Sequence, residues 1–281
     1  MRSLILLLSF LCLVNCKEDK TSETELTTTG SSSYTISFEN AAHHEAEITA
    51  TFKGLKSGEA EFRMSRSSPG RYAIHEFAKN VYNVKVTDSK GHVLETTRPD
   101  PYSWTVNDHD GTIIVNYTLY ANHGDGTYAQ VDETHAHLNM PATFMYAPSL
   151  ENDTFNIEFK PREDLNWKIA TQLKLVEGNT YSADNLQYFM DSPTEISDHM
   201  VRSFEVDGQK INFALHHNGT AAEFDDYFEK VKKTILQQKA VFGELPTFDY
   251  GEYTFLGCYI PNATGDGMEH RNSTIVTSTR S

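Results

Sequence analysis

From Tyr34 onward, apolar and polar residues alternate in short runs, and a period of two residues is the signature of half-buried β-strands. Tyr34–Phe38 and Ala46–Phe52 are the clearest runs, followed by Asn80–Val86, Thr112–Tyr120, Thr154–Phe159 and Trp167–Leu175. Glycine and polar turns separate them at roughly ten-residue intervals, the spacing of a sandwich or a strongly bent antiparallel sheet. The 16 Phe, 14 Tyr and 2 Trp, with many Thr, Val and Ile, also favour sheet over helix. A mainly β domain is therefore expected over residues 34–200. Beyond it the pattern shifts. Ile211–Leu215 reads as a strand, and Phe224, Tyr227, Phe228, Val231 and Ile235 then recur at helical spacing, so that one face turns to a core. Gly243 and then Pro246 stop this helix. Tyr250–Ile260 and Asn272–Thr279 read as further strands, the last with no following element to cover its edge. Residues 201–281 are thus expected to be the start of a second, α+β domain.

The N-terminus carries an address. Leu4–Val14 is an eleven-residue, mostly apolar run behind Arg2, suited to a signal peptide and too short for a spanning helix of about 20 residues. It ends in Leu13-Val14-Asn15-Cys16, which resembles a bacterial lipobox apart from Asn15, where a small residue is usual. Residues 1–15 are expected to be removed, Cys16 to be acylated, and residues 16–33, rich in Thr, Ser and Glu, to form a flexible tether. Lys17-Glu18-Asp19-Lys20 resembles the lysine-plus-acidic signal that sends certain lipoproteins to the outer surface. The expected partner at this end is a membrane, reached through the lipid.

With 39 acidic against 24 basic residues the formal charge is −15, so the mean field opposes phosphate backbones and nucleic acid is not an expected partner. Of the three cysteines, Cys12 and Cys16 belong to the leader region, which leaves Cys258 without a partner for an internal disulfide. Cys258 reads as a buried strand residue, and its nearest histidine in sequence, His270, does not make a thiol dyad of it. His135 and His137, two apart on a strand, face one side; they either form part of a polar face or hold a metal if a third ligand arrives from elsewhere. His216-His217 precedes Asn218-Gly219 and reads as turn chemistry. Asp191-Ser192-Pro193 reads as a turn at the domain junction, since no base stands beside the serine.

The segment Gly267-Met268-Glu269-His270-Arg271-Asn272-Ser273-Thr274 resembles the glycyl aminopeptidase family, zinc metallopeptidases of the gluzincin group that often carry a PDZ domain. Five further stretches agree in order: Pro69-Gly70-Arg71-Tyr72 with Glu76-Phe77-Ala78-Lys79-Asn80, Val131-Asp132-Glu133-Thr134-His135-Ala136, Trp167-Lys168-Ile169-Ala170-Thr171, Met190-Asp191-Ser192-Pro193-Thr194-Glu195, and Phe242-Gly243-Glu244-Leu245-Pro246. The resemblance covers residues 34–281 and implies a β-rich peptidase N-terminal domain followed by the opening of a thermolysin-like catalytic domain. It implies that Glu269 pairs with a substrate's free α-ammonium, that Gly267 admits close backbone approach, and that His270 orients the glutamate or the substrate. The family more often has a glycine where Asp266 stands, so this second acid reads as tuning or decay.

Zinc in such enzymes is held by H-E-x-x-H, whose glutamate acts as general base. This sequence has none; His75-Glu76-Phe77-Ala78-Lys79 comes nearest and puts a lysine at the second ligand position. No catalytic residue and no metal ligand of the family is therefore expected in this chain. Zinc is implied only with a catalytic portion beyond Ser281, and the chain alone is expected to be inactive. Peptide N-termini are the partners implied for the whole enzyme. The competing expectations are a surface binding module for peptide, glycan or protein, and a pseudoenzyme that pairs with a separate catalytic half.

Overall fold

The computed structural model describes residues 30–280. The leader, Cys16 and all of the tether before Gly30 lie outside the described residues. Thirteen strands build the first unit: β1 (Ser31–Ser37), β2 (Glu45–Lys53), β3 (Ala60–Arg63), β4 (Val81–Thr87), β5 (Ser103–Val106), β6 (Thr112–Tyr120), β7 (Gln130–Val131), β8 (His135–Leu138), β9 (Thr154–Lys160), β10 (Lys168–Thr171), β11 (Lys174–Glu177), β12 (Thr180–Ala183) and β13 (Thr194–Ser197). Two short helices, α1 (Met140–Thr143) and α2 (Leu186–Met190), lie between them. The main sheet has the order β11-β12-β9-β1-β2-β6-β4, a second has the order β10-β13-β8-β7, and β3 pairs with β5.

The alternation does what its period requires. Along β1, β2, β6 and β9, Tyr34, Ile36, Ile48, Phe52, Ile113, Val115, Tyr117, Leu119, Phe155 and Ile157 all turn to one core. Phe62 and Trp104 from the two-stranded ribbon, Phe144 after α1 and Phe189 from α2 complete that core. The mainly β expectation holds. Two details differ. β1 runs parallel to β9, so the sheet is not purely antiparallel. β1 also begins at Ser31, inside the span expected as tether, because Ser32 is fully buried between Phe52 and Phe155 in the neighbouring strands.

The Trp167–Leu175 run is two strands, in different sheets: β10 pairs with β13 and β11 with β12. The break falls at Gln172, whose buried amide turns inward to the Asp191 carbonyl at 2.7 Å and to Ser192 Oγ at 3.1 Å. Satisfying a buried amide outweighs continuing a strand.

The second unit is a five-stranded mixed sheet, β14 (Met200–Val206), β15 (Gln209–His217), β16 (Glu252–Tyr259), β17 (Asp266–Glu269) and β18 (Ser273–Ser278), in the order β14-β15-β16-β18-β17. The helix α3 (Ala221–Phe242) packs on it through Phe224, Phe228 and Ile235, with Tyr227 and Val231 half-buried. Thr220 and Glu223 form a reciprocal capping box at its start, worth about 1 kcal/mol. Gly243 ends it at φ 89°, a left-handed position that suits glycine. The uncovered edge expected at Asn272–Thr279 is not there: β18 is interior, parallel to β16 and antiparallel to β17. The edge falls to β17, because the chain turns back through residues 261–265 before β18 is laid down. No helix among the described residues is long and apolar enough to cross a membrane.

Candidate functional site

β17 carries Asp266, Gly267, Met268 and Glu269 along that edge, with one side of its backbone unpaired by any strand of the sheet. Successive side chains alternate across it. Met268 is buried against Ala214, Leu256 and Ile275, and Glu269 is exposed. A Cβ placed on Gly267 would meet nothing nearer than a carbonyl oxygen at 3.9 Å, so the space above this residue is open.

The first unit fixes this strand at both ends. At its start, Asp266 pairs with Arg71 and also accepts from the Gly126 amide at 2.9 Å. Asp266 is thus an interdomain tie, and its charge is answered before any substrate arrives. Gly70, at φ 74°, lets that loop lie against Met268: a Cβ there would sit 2.4 Å from the methionine sulfur. At the other end, the Asp191 carboxylate meets His270 Nδ1 at 2.8 Å and accepts from the Arg271 amide at 2.9 Å. Gln172 Oε1 accepts from the Asn272 amide at 3.0 Å and from Ser273 Oγ at 2.7 Å. The Arg271 guanidinium is held by Asp249.

These contacts divide the labour among the residues that the sequence singled out. The His270 side chain is buried and its Nδ1 is engaged by Asp191, which holds the strand end in place. The Glu269 side chain stays exposed, with no salt bridge among the described residues, while Arg71 and Arg271 are committed to Asp266 and Asp249. An exposed carboxylate without a neighbouring cation is free to take one from a ligand. Asp191 and Gln172 were not legible as site residues, because each acts on a segment about 80 to 100 positions away. Asp191 and Arg271 also line a cleft of about 550 Å³ together with Asp184, Tyr188, Asp249 and Tyr250.

A second polar group lies between the sheets. His135 and His137 point from β8 toward Glu195 on β13 and Cys258 on β16, and all four are buried. Glu195 and Cys258 thus meet the two histidines from 58 and 123 residues away. His137 Nδ1 lies 2.9 Å from Glu195 Oε2. Burial alone would lower the pKa of this imidazole, but the Glu195 carboxylate more than offsets that and raises it. Burial would raise Glu195 in turn; His137, with His135 and His216, brings it below the usual carboxylate range. Desolvation pushes the Cys258 thiol up and pulls His199 down to about 4. His216 has both ring nitrogens without a hydrogen bond, although Asp198 approaches its Nδ1 to 3.3 Å.

The chain belongs to the peptidase M61 N-terminal domain family, whose profile matches residues 33–198. Among solved structures, an aminopeptidase N family protein from Idiomarina loihiensis superposes with a TM-score of 0.80 at 23% identity, over 88% of this chain and 42% of that one. An M1 zinc metallopeptidase from Deinococcus radiodurans aligns more loosely, with a TM-score of 0.42 at 10% identity over 89% of this chain and 60% of that one. The chain therefore spans less than two thirds of the length of either. No curated protein matches it.

Proposed function

We propose that the chain is the front portion of a lipid-anchored zinc aminopeptidase, in which Glu269 receives the α-ammonium of a peptide's first residue. One observation carries the reading: the exposed Glu269 stands at the end of an edge strand and forms no salt bridge among the described residues. An edge strand offers unpaired N–H and C=O groups on which an extended peptide can lie. A carboxylate at its end would then select a free N-terminus, because an internal peptide bond brings no charge to pair with it. Gly267 leaves room for that approach. The resemblance to glycyl aminopeptidases supports glycine or another small residue as the one removed.

Hydrolysis in this family is zinc chemistry, and the residues of this chain do not fit the catalytic ion. There is no H-E-x-x-H in the sequence, and Lys79 stands at the second ligand position of the nearest approximation. The 281 residues alone are thus expected to bind and not to cleave. Purified chain, incubated with glycyl peptides and zinc, should release no glycine; chelator-sensitive release would overturn the inactivity. In the same preparation, a peptide with a free N-terminus should perturb the amide signals of residues 266–269, and its N-acetylated form should not. Equal binding of the two forms would remove the amine from the reading.

The leader supports anchoring at the outer membrane through acyl chains on Cys16, each buried methylene contributing roughly 0.8 kcal/mol. Cys16→Ala in the producing cell should shift the protein from the membrane to the soluble fraction. Retention on the membrane would exclude the lipid as its anchor.

A further inference from the structure

The buried group between the sheets has no part in the chemistry proposed above. Its members, His135, His137, Glu195 and Cys258, are each at most 1% exposed. His137, Glu195 and Cys258 bring ligand atoms within 4.8 Å of one another. His135 Nε2 lies 3.9 Å from Cys258 Sγ.

The hydrogen bonds around this group set which nitrogens face it. Thr134 Oγ1 donates to Asp132 at 2.6 Å, so it accepts from His135 Nδ1 at 3.0 Å, and Asp132 Oδ1 lies 3.3 Å from the same nitrogen. His135 Nε2 is left with its lone pair toward the sulfur. His137 Nε2 lies 3.0 Å from the Asp125 carbonyl, which can only accept, so His137 Nδ1 is the nitrogen turned to Glu195. Glu195 Oε1, fully buried, has no hydrogen-bond partner. An orphaned carboxylate oxygen in a sealed site is costly unless a cation answers it.

We infer that His135 Nε2, His137 Nδ1, the Glu195 carboxylate and Cys258 Sγ form a closed zinc site that clamps the β-rich unit to the second unit. Two nitrogens, one oxygen and one sulfur suit a borderline-soft ion, and four protein ligands leave no open position, as in structural zinc sites. With metal–ligand bonds of roughly 2.0 Å to nitrogen or oxygen and 2.3 Å to sulfur, tetrahedral ligands stand roughly 3.3 to 3.5 Å apart. His137 Nδ1 and Glu195 at 2.9 Å and His135 Nε2 and Cys258 Sγ at 3.9 Å are each within about 0.6 Å of that spacing. His137, Glu195 and Cys258 already lie within 4.8 Å of one another, and His135 would close on them from beside the sulfur when the ion binds. Asp132 and the Asp125 carbonyl supply the oxygen partners that hold liganding imidazoles in one orientation. Charge balances as well. When zinc binds, the Cys258 S–H and His137 Nδ1–H bonds break and two protons leave to water. The thiolate and the carboxylate then neutralise the two positive charges of the ion. The ligands come from β8 and β13 on one side and β16 on the other, so the bound ion would tie the units together.

The test uses the 281-residue chain, stripped of metal and titrated first with cobalt and then with zinc. The expected result is one equivalent of each, a sulfur-to-cobalt charge-transfer band, and displacement of cobalt by zinc. Cys258→Ser, close in shape, should abolish the band, and Asp132→Asn should weaken zinc binding by roughly 10- to 100-fold. Failure of the unsubstituted chain to bind cobalt with the band would overturn the site whether or not the variants fold. A band surviving in Cys258→Ser would overturn it equally.

Discussion

On the proposed function, Glu269→Gln in a zinc aminopeptidase containing this chain should lower kcat/KM for a glycyl anilide roughly a hundredfold. The substitution keeps the size and one hydrogen-bond acceptor of the side chain and removes its charge. An ammonium that loses a charged partner in a partly desolvated cleft forfeits about 3 kcal/mol, and each 1.4 kcal/mol is a factor of ten. The loss should fall on substrates with a free amine and spare N-acetylated ones, narrowing the discrimination between them. Asp266→Asn is the informative companion, because Asp266 sits on the same strand and is already paired with Arg71 and the Gly126 amide. It should loosen the strand and lower activity on both substrate types alike. Unchanged kcat/KM in Glu269→Gln would take the amine away from this residue, whatever Asp266→Asn does.

The second large effect is on stability. Phe189→Ala in the 281-residue chain should cost about 3 to 5 kcal/mol, the range for emptying a large buried aromatic site. Phe189 is fully buried on α2, with its ring centroid 4.9 Å from that of Tyr34, 5.3 Å from Phe155 and 5.5 Å from Phe144. Those partners belong to β1, β9 and the segment after α1, so the cavity would open between the main sheet and its cover. The change is large against a total stability of about 5 to 15 kcal/mol. Urea unfolding should show a lower midpoint at an unchanged slope. Tyr72→Ala, at a fully exposed ring, serves as the contrast and should leave the midpoint in place. A loss in Phe189→Ala no larger than in Tyr72→Ala would mean that α2 is not part of the core. Asp191 follows α2 directly, so this core also positions the carboxylate that holds His270 and Arg271.

Much of the fold is legible in the sequence for a local reason. The two-residue period assigns a face to every side chain of a strand, and Thr112–Tyr120 is found with the bounds its alternation implies. The helix face of Phe224, Phe228 and Ile235 follows in the same way from a period of 3.6. Pairing is not local. That β1 lies parallel to β9, or that one apolar run from Trp167 to Leu175 serves two sheets, depends on which strands are neighbours in space. No period within a strand encodes that.

The same division runs through the site. The sequence by itself determined that a Gly-x-Glu-His segment stands at residues 267–270, that His135 and His137, two apart on a strand, share a face, and that the chain is acidic and β-rich. Only the tertiary structure decided that β17 is the edge strand, that Asp266 and His270 hold it to the first unit, and that Glu269 stays exposed. It alone brought Glu195 and Cys258 to the two histidines. The physical reason is that a residue type fixes what chemistry a side chain can do, whereas its partners, and hence whether that chemistry is already spent, are set by chain segments up to about 195 positions away.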